Sequence, residues 1–257
     1  MRQYGDLDRY WTSYLELERE FAEFTNFVPL IMENRKVISP KLANLASLTG
    51  NWIETIFKKR MLRPWPFAAT PLILPKDIKG VKEFRETFEE PYQLSKQVVF
   101  VKRYLTEYYR RVRPFGSFAE GKTPEWFSDY SGQKHNRPEL QKRMTLWKTT
   151  EALAALFLLS VYPHEMREYL VDLGVIHKIK ITANGVIEHD NDPTRHLKDF
   201  LMLHPSILPD RRASVVEPII AETQMFSFEF PRQTMQRHLD SLWEQYGSKS
   251  PEERAEA

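Results

Sequence analysis

Apolar residues recur every three or four positions over residues 8–28: Tyr10, Tyr14, Leu17, Phe21, Phe24 and Val28. This is the spacing of one helix face, and Trp11 and Leu15 widen it. Glu16, Glu20 and Glu23 fall on the other side, towards water. Ser39-Pro40 opens a second helix, because a serine cap followed by proline at the first helical position meets the orphan amides at little cost. Leu42, Leu45, Thr49, Trp52 and Ile56 carry its apolar face. Gly50 inside that helix costs ~1 kcal/mol relative to alanine, so it points to a close helix crossing. The run RPWPFAATPLILP (63–75), with four prolines, reads as loop.

A short helix is expected around 79–89, with Val81, Phe84 and Phe88 inward and Pro91 as its end. QVVFV (97–101) is β-branched and reads as a short strand, and RPFGSFAEGKTP (113–124) as a loop. Thr123-Pro124-Glu125 starts a helix that ends near Asn136, since Pro138 disfavours a helical residue before it. A long helix is expected over 139–162, apolar all round in its second half, as in the centre of a bundle. Pro163 kinks or restarts it, and Gly174 is a natural stop.

Past 175 the period changes from helical to alternating. IHKIKITANGVIEHD reads as a hairpin turning at Asn184-Gly185. Asp192-Pro193 caps a short helix to about His204, IIAETQMFSFEF (219–230) reads as one strand, and Arg232–Tyr246 as a final helix. The expected fold is mainly α. A helical bundle over 1–174 carries a small β-containing appendage over 175–247, and 248–257 is a charged, disordered tail.

Charge adds local detail. The net charge of +2 demands no polyanionic partner, yet residues 1–34 lean acidic while the middle is basic. That basic middle permits a phosphate-binding face, or equally neutralises the acidic first helix. The chain has no cysteine, which excludes disulfides, thiolate metal sites and a cysteine nucleophile. The N-terminus has no apolar signal core, and the longest apolar run (152–162) falls far short of the ~20 residues that span a bilayer. A soluble, cytoplasmic protein with no membrane partner is expected.

Candidate chemistry concentrates in WFSDYSGQKHNR (126–137). On a helix, Tyr130, Lys134 and Arg137 share a face, and His135 lies in the last turn, where the helix dipole favours a cation. A histidine beside a lysine and an arginine suits acid–base work on a phosphodiester, with the arginine fork holding phosphate oxygens. Tyr130, His135 and Arg137 are the candidate catalytic residues. Lys134, Arg137, Lys142, Arg143, Arg110 and Arg111 are the candidate nucleic-acid contacts, the last two from the aromatic and basic stretch Tyr108–Arg113. The plain alternative is a helix end decorated with cations that the dipole welcomes. His164-Glu165 lacks the second histidine of a zinc helix, His189, Asp190 and Asp192 read as a polar hairpin end, and neither a phosphate-binding glycine loop nor a G-x-S-x-G elbow occurs. No metal and no cofactor is expected.

Tyr130-Ser131 with Lys134-His135-Asn136-Arg137, followed by EALAALFLL (151–159), resembles a pattern in bacterial HEPN-like helical proteins. The opening (Trp11, Tyr14, Leu17-Glu18, Phe21, Pro29-Leu30, Ser39-Pro40) is similar to the first two helices of such proteins. The resemblance spans roughly 8–172. It implies a helical bundle, often a homodimer, often in antiphage or toxin–antitoxin systems, whose catalytic members are metal-independent ribonucleases. Their arginine four to six residues before the histidine is absent: the corresponding residues are Ser128, Asp129, Tyr130 and Ser131, so only His135 carries over. Two readings stay open. One is an RNA-directed role, as RNA binding or metal-independent cleavage, in defence or stress response. The other is a non-catalytic protein-interaction or dimerisation module.

Overall fold

A computed structural model describes residues 5–58, 80–103, 110–133, 141–161, 164–181, 187–189 and 215–229. The described residues form two units: those up to Tyr169 together with Glu222–Phe228, and Leu170–Ala221 with Glu229. The fold is mainly α. The loop expected over 63–75, the turn at Asn184-Gly185, the helix after Asp192-Pro193, the final helix and the tail lie outside the described residues.

In the first unit, α1 (Gly5–Phe27) buries Tyr10, Trp11, Tyr14, Leu17 and Phe21, as the spacing requires. Leu15, expected to widen this face, is 40% exposed instead. Glu18 is buried, for a reason given below. Helix α2 (Pro40–Lys58) starts as expected, with Ser39 Oγ accepting the Lys41 amide at 3.2 Å. Tyr10 of α1 meets Trp52 of α2 edge-on, centroids 5.1 Å apart.

Helix α3 (Val81–Tyr92) runs through Pro91 rather than stopping before it. The turn closes one residue later, at Gln93, which has a left-handed φ of 47° and donates its amide to Glu89 O. Phe84 and Phe88 pack on Phe57 of α2, at 4.6 and 5.3 Å between ring centroids. The aromatic cluster continues through Phe115 to Trp126 of α4 (Glu125–Gln133).

The helix expected from 139 begins at Leu146. Residues Gln141–Arg143 form a separate 3-10 turn, and Thr145 pairs as an isolated bridge with Ile38. That pairing holds Thr145 extended, and its hydroxyl then accepts the Lys148 amide at 3.3 Å as a cap. Helix α5 (Leu146–Val161) is buried all round from Ala152 onwards and packs on α1, α2 and α4, the central position its composition implied. Its buried Thr150 and Ser160 hydroxyls bond back to the carbonyls four residues earlier, so they leave no unmet donor. Among the described residues no helix is long and apolar enough to cross a membrane. Helix α6 (His164–Asp172) ends at Gly174, φ 71°, the stop read from the sequence.

Strand β1 (Val99–Val101), expected from its β-branched run, pairs antiparallel with β2 (Arg110–Val112), which the basic stretch concealed. In the second unit β3 (Ile176–Ile181) pairs antiparallel with β4 (Ile187–His189) and with β5 (Val215–Glu222). The β3–β5 register shifts between His177 and Lys178, opposite Pro218. A proline cannot donate to the ladder, and a bulge accommodates it.

The single strand expected over 219–230 is two strands. The chain turns at Thr223–Met225 into β6 (Phe226–Glu229), which pairs with β1. Glu18 makes this turn. Its Oε1 accepts hydrogen bonds from the Tyr14 hydroxyl at 2.9 Å, the Thr223 hydroxyl and the Met225 amide at 2.9 Å. Burial, reinforced by the Glu18 charge, pushes the Tyr14 phenol well above its ordinary pKa. Lys102 clasps the same turn through Thr223 O (2.9 Å) and Glu222.

Candidate ligand-binding cleft

Tyr130 belongs to the core. It is 1% exposed, its ring lies flat against Gly50, and its hydroxyl donates to Asn51 Oδ1 at 2.8 Å. Burial and the nearby Glu54 charge raise its pKa, which opposes ionisation. The close crossing expected at Gly50 is therefore made by Tyr130, and its role there is packing rather than orienting an open cluster. Lys134, His135, Asn136 and Arg137 lie outside the described residues. Arg110 is described only as backbone of β2. Arg111 is exposed, its guanidinium 5.7 Å from the Phe100 ring centroid. Lys142 and Arg143 are exposed on the 3-10 turn before α5.

Lys142 lines a cleft of about 1150 Å³ within the first unit. Four segments build it, one being the start of α4 with Pro124, Glu125 and Trp126. The first is the 3-10 turn Glu33–Lys36, held by Asn34 Nδ2 on Pro29 O (2.9 Å) and tied to the start of α5 by Leu146 N on Val37 O (2.8 Å). It supplies Arg35 and Lys36. The second is the loop Arg113–Ser117, anchored by the buried Phe115 and Phe118 rings and by Trp126 Nε1 donating to Pro114 O at 2.8 Å. The third is the start of α5 and the turn before it, with Lys142, Trp147, Lys148 and Glu151.

Five cations and three carboxylates line the cleft. Lys148 is spoken for: it pairs with Asp129 at 2.6 Å and Glu125 at 3.4 Å. Burial alone would lower its pKa, but the Asp129 bond and the two carboxylate charges more than offset this, and the net direction is upward. Arg35, Lys36, Arg113 and Lys142 have no carboxylate within 4.0 Å among the described residues. The Arg35 guanidinium instead sits 4.4 Å from the Trp147 ring centroid, a cation–π contact.

Trp147 Nε1 donates to Glu151 Oε1 at 2.8 Å, one turn along α5. Burial pushes the Glu151 carboxyl above the usual range. Glu125 adds to this, while the Trp147 bond and the Arg35 and Lys148 charges pull part of the way back. Ser117 Oγ is enclosed in the cleft wall and has no hydrogen-bond partner among the described residues. Arg113 ends the basic stretch Tyr108–Arg113, and Lys148 follows Lys142 and Arg143 in the sequence. Arg35, Ser117, Trp147 and Glu151 were not singled out, and only the i, i+4 spacing of Trp147 and Glu151 hinted at their pairing.

No group of three or more metal-ligating side chains occurs among the described residues. No family model, curated protein or solved structure matches the chain.

Proposed function

We propose that the protein has an RNA-directed role and that this cleft is its RNA-binding site. The observation that carries the reading is the convergence of Arg35, Lys36, Arg113 and Lys142, free of carboxylate partners among the described residues, around the Trp147 indole. Cations that neutralise phosphates release counterions and supply affinity, and an aromatic wall suits the unstacked bases of a single strand. Arg143 beside Lys142, and Arg111 on β2 close in sequence to Arg113, extend the basic character. Metal-independent cleavage, in the HEPN-like reading, falls to His135 as proton shuttle with Lys134 and Arg137 on the phosphate. A cytoplasmic homodimer acting in defence or stress response belongs to the same proposal.

The test is fluorescence anisotropy with a labelled single-stranded RNA. Affinity should fall steeply between about 50 and 200 mM salt. The Arg35→Ala/Arg113→Ala/Lys142→Ala variant should shallow the log–log salt slope by about two to three units. An unchanged slope removes the cleft from the reading. The second reading, a protein-interaction module, draws on Met32 and Ile38, which line the same cleft at 52% and 50% exposure. It predicts concentration-dependent association, lost with Ile38→Asp, and no RNA affinity at low salt.

A further inference from the structure

We infer that the cleft selects a guanine base, with Glu151 as the group that reads it. This rests on the RNA-binding proposal above and adds to it a specificity.

Glu151 is out of place in an anion site. A carboxylate beside four cations that have no carboxylate partner among the described residues repels the phosphate that those cations attract, unless it faces a different part of the ligand. Its single hydrogen bond among the described residues is the one from Trp147 to Oε1. A carboxylate has two oxygens and about four lone-pair sites, so most of its accepting capacity is unused. It is also partly withdrawn from water, which makes unused capacity costly. The occupant that suits this wall carries N–H donors at one end and negative charge at the other. A nucleotide does both.

The four bases present different edges to such a carboxylate. Uracil offers one N–H flanked by two carbonyl oxygens, which the carboxylate repels. Adenine and cytosine each offer an amino group next to a ring-nitrogen acceptor. Guanine alone offers adjacent donors, N1–H and the N2 amino group, spaced to meet the two oxygens of one carboxylate. The indole fixes the Glu151 carboxylate by its Nε1–H, which leaves Oε2 and the remaining lone pair of Oε1 to the base.

The experiment compares fluorescein-labelled decauridine with the same strand carrying one central guanosine, inosine, adenosine or cytidine, at low salt. Guanosine should bind about tenfold more tightly than uridine, the discrimination typical of one bidentate pair. Inosine, which keeps N1–H and lacks the N2 amino group, should lose most of that gain. In Glu151→Gln the guanosine preference should disappear, and a preference that survives the substitution overturns the inference. Equal affinity for all five strands overturns the inference and leaves the RNA reading standing. Absence of binding by every strand overturns the RNA reading, and this one with it. If the variant fails to fold by circular dichroism, the guanosine–inosine comparison on the unaltered protein decides alone.

Discussion

The Tyr130 ring and the Gly50 backbone are in direct contact: a Cβ placed on Gly50 would lie 2.4 Å from Tyr130 Cδ2. Helix α4 comes this close to α2 at Gly50 because no side chain projects from it. Alanine at Gly50 gains ~1 kcal/mol of helix propensity, yet it drives a methyl into an aromatic ring whose neighbours Phe127 and Asn51 fix it. Overpacking of this kind costs about 1–3 kcal/mol. Gly50→Ala should therefore lower the urea midpoint, and Tyr130→Leu should recover part of the loss in the double variant. A Gly50→Ala protein more stable than the parent would show that the ring yields freely.

Lys148 and Asp129 link the floor of the cleft to α4. The Lys148 pKa is raised in the folded protein, so its contribution to stability is complete below the ordinary lysine value of 10.5 and is lost as pH rises through the folded value. Asp129→Asn should cost about 1–2 kcal/mol near neutrality, since the pair is half-buried. The gap between parent and variant should close at strongly alkaline pH. Denaturation midpoints from pH 8 upward measure this, and a gap constant with pH would assign the loss to packing.

Glu18 reaches the Thr223–Met225 turn from a helix 200 residues earlier in the chain. Glu18→Ala strands the buried Met225 amide, at about 1–3 kcal/mol, and takes the charged acceptor from the Tyr14 and Thr223 hydroxyls, which keep each other and Phe226 O as partners. A total near 3 kcal/mol is expected, with hydrogen exchange at Met225 and Phe226 accelerating more than in the middle of α5. Uniform acceleration along the chain would mean that Glu18 supports the whole fold and not this turn.

For His135 the expected signature is a split. His135→Ala should abolish cleavage of a labelled RNA in the presence of chelator while leaving anisotropy-measured affinity at the cleft within about twofold. Cleavage undiminished in the variant ends the metal-independent nuclease reading and leaves binding to stand alone.

Much of the fold was legible because local physics dictates it. The period of Tyr10, Tyr14, Leu17 and Phe21 imposes a helix with one buried face, Ser39-Pro40 imposes a start, and Gly174 an end. Pairings that depend on distant partners were not legible. The turn at Thr223–Met225 contains no glycine, proline, asparagine or aspartate, so it reads as strand until Glu18 supplies its acceptors. The start of α5 is set by Ile38 pairing with Thr145, and no property of residues 139–145 announces it.

The candidate site divides the same way. Residue order alone determined which segments carry basic and aromatic side chains, and placed Tyr130 on a helix, because composition and helical period are properties of neighbours in sequence. Only the tertiary structure decided that Tyr130 fills the space over Gly50 and that Arg35, Arg113, Lys142 and Trp147 meet around one cleft. A cleft is space left between packed elements. Its walls come from chain segments as far apart as Met32 and Glu151, and their convergence follows from the packing of the aromatic core beneath them and from no local pattern.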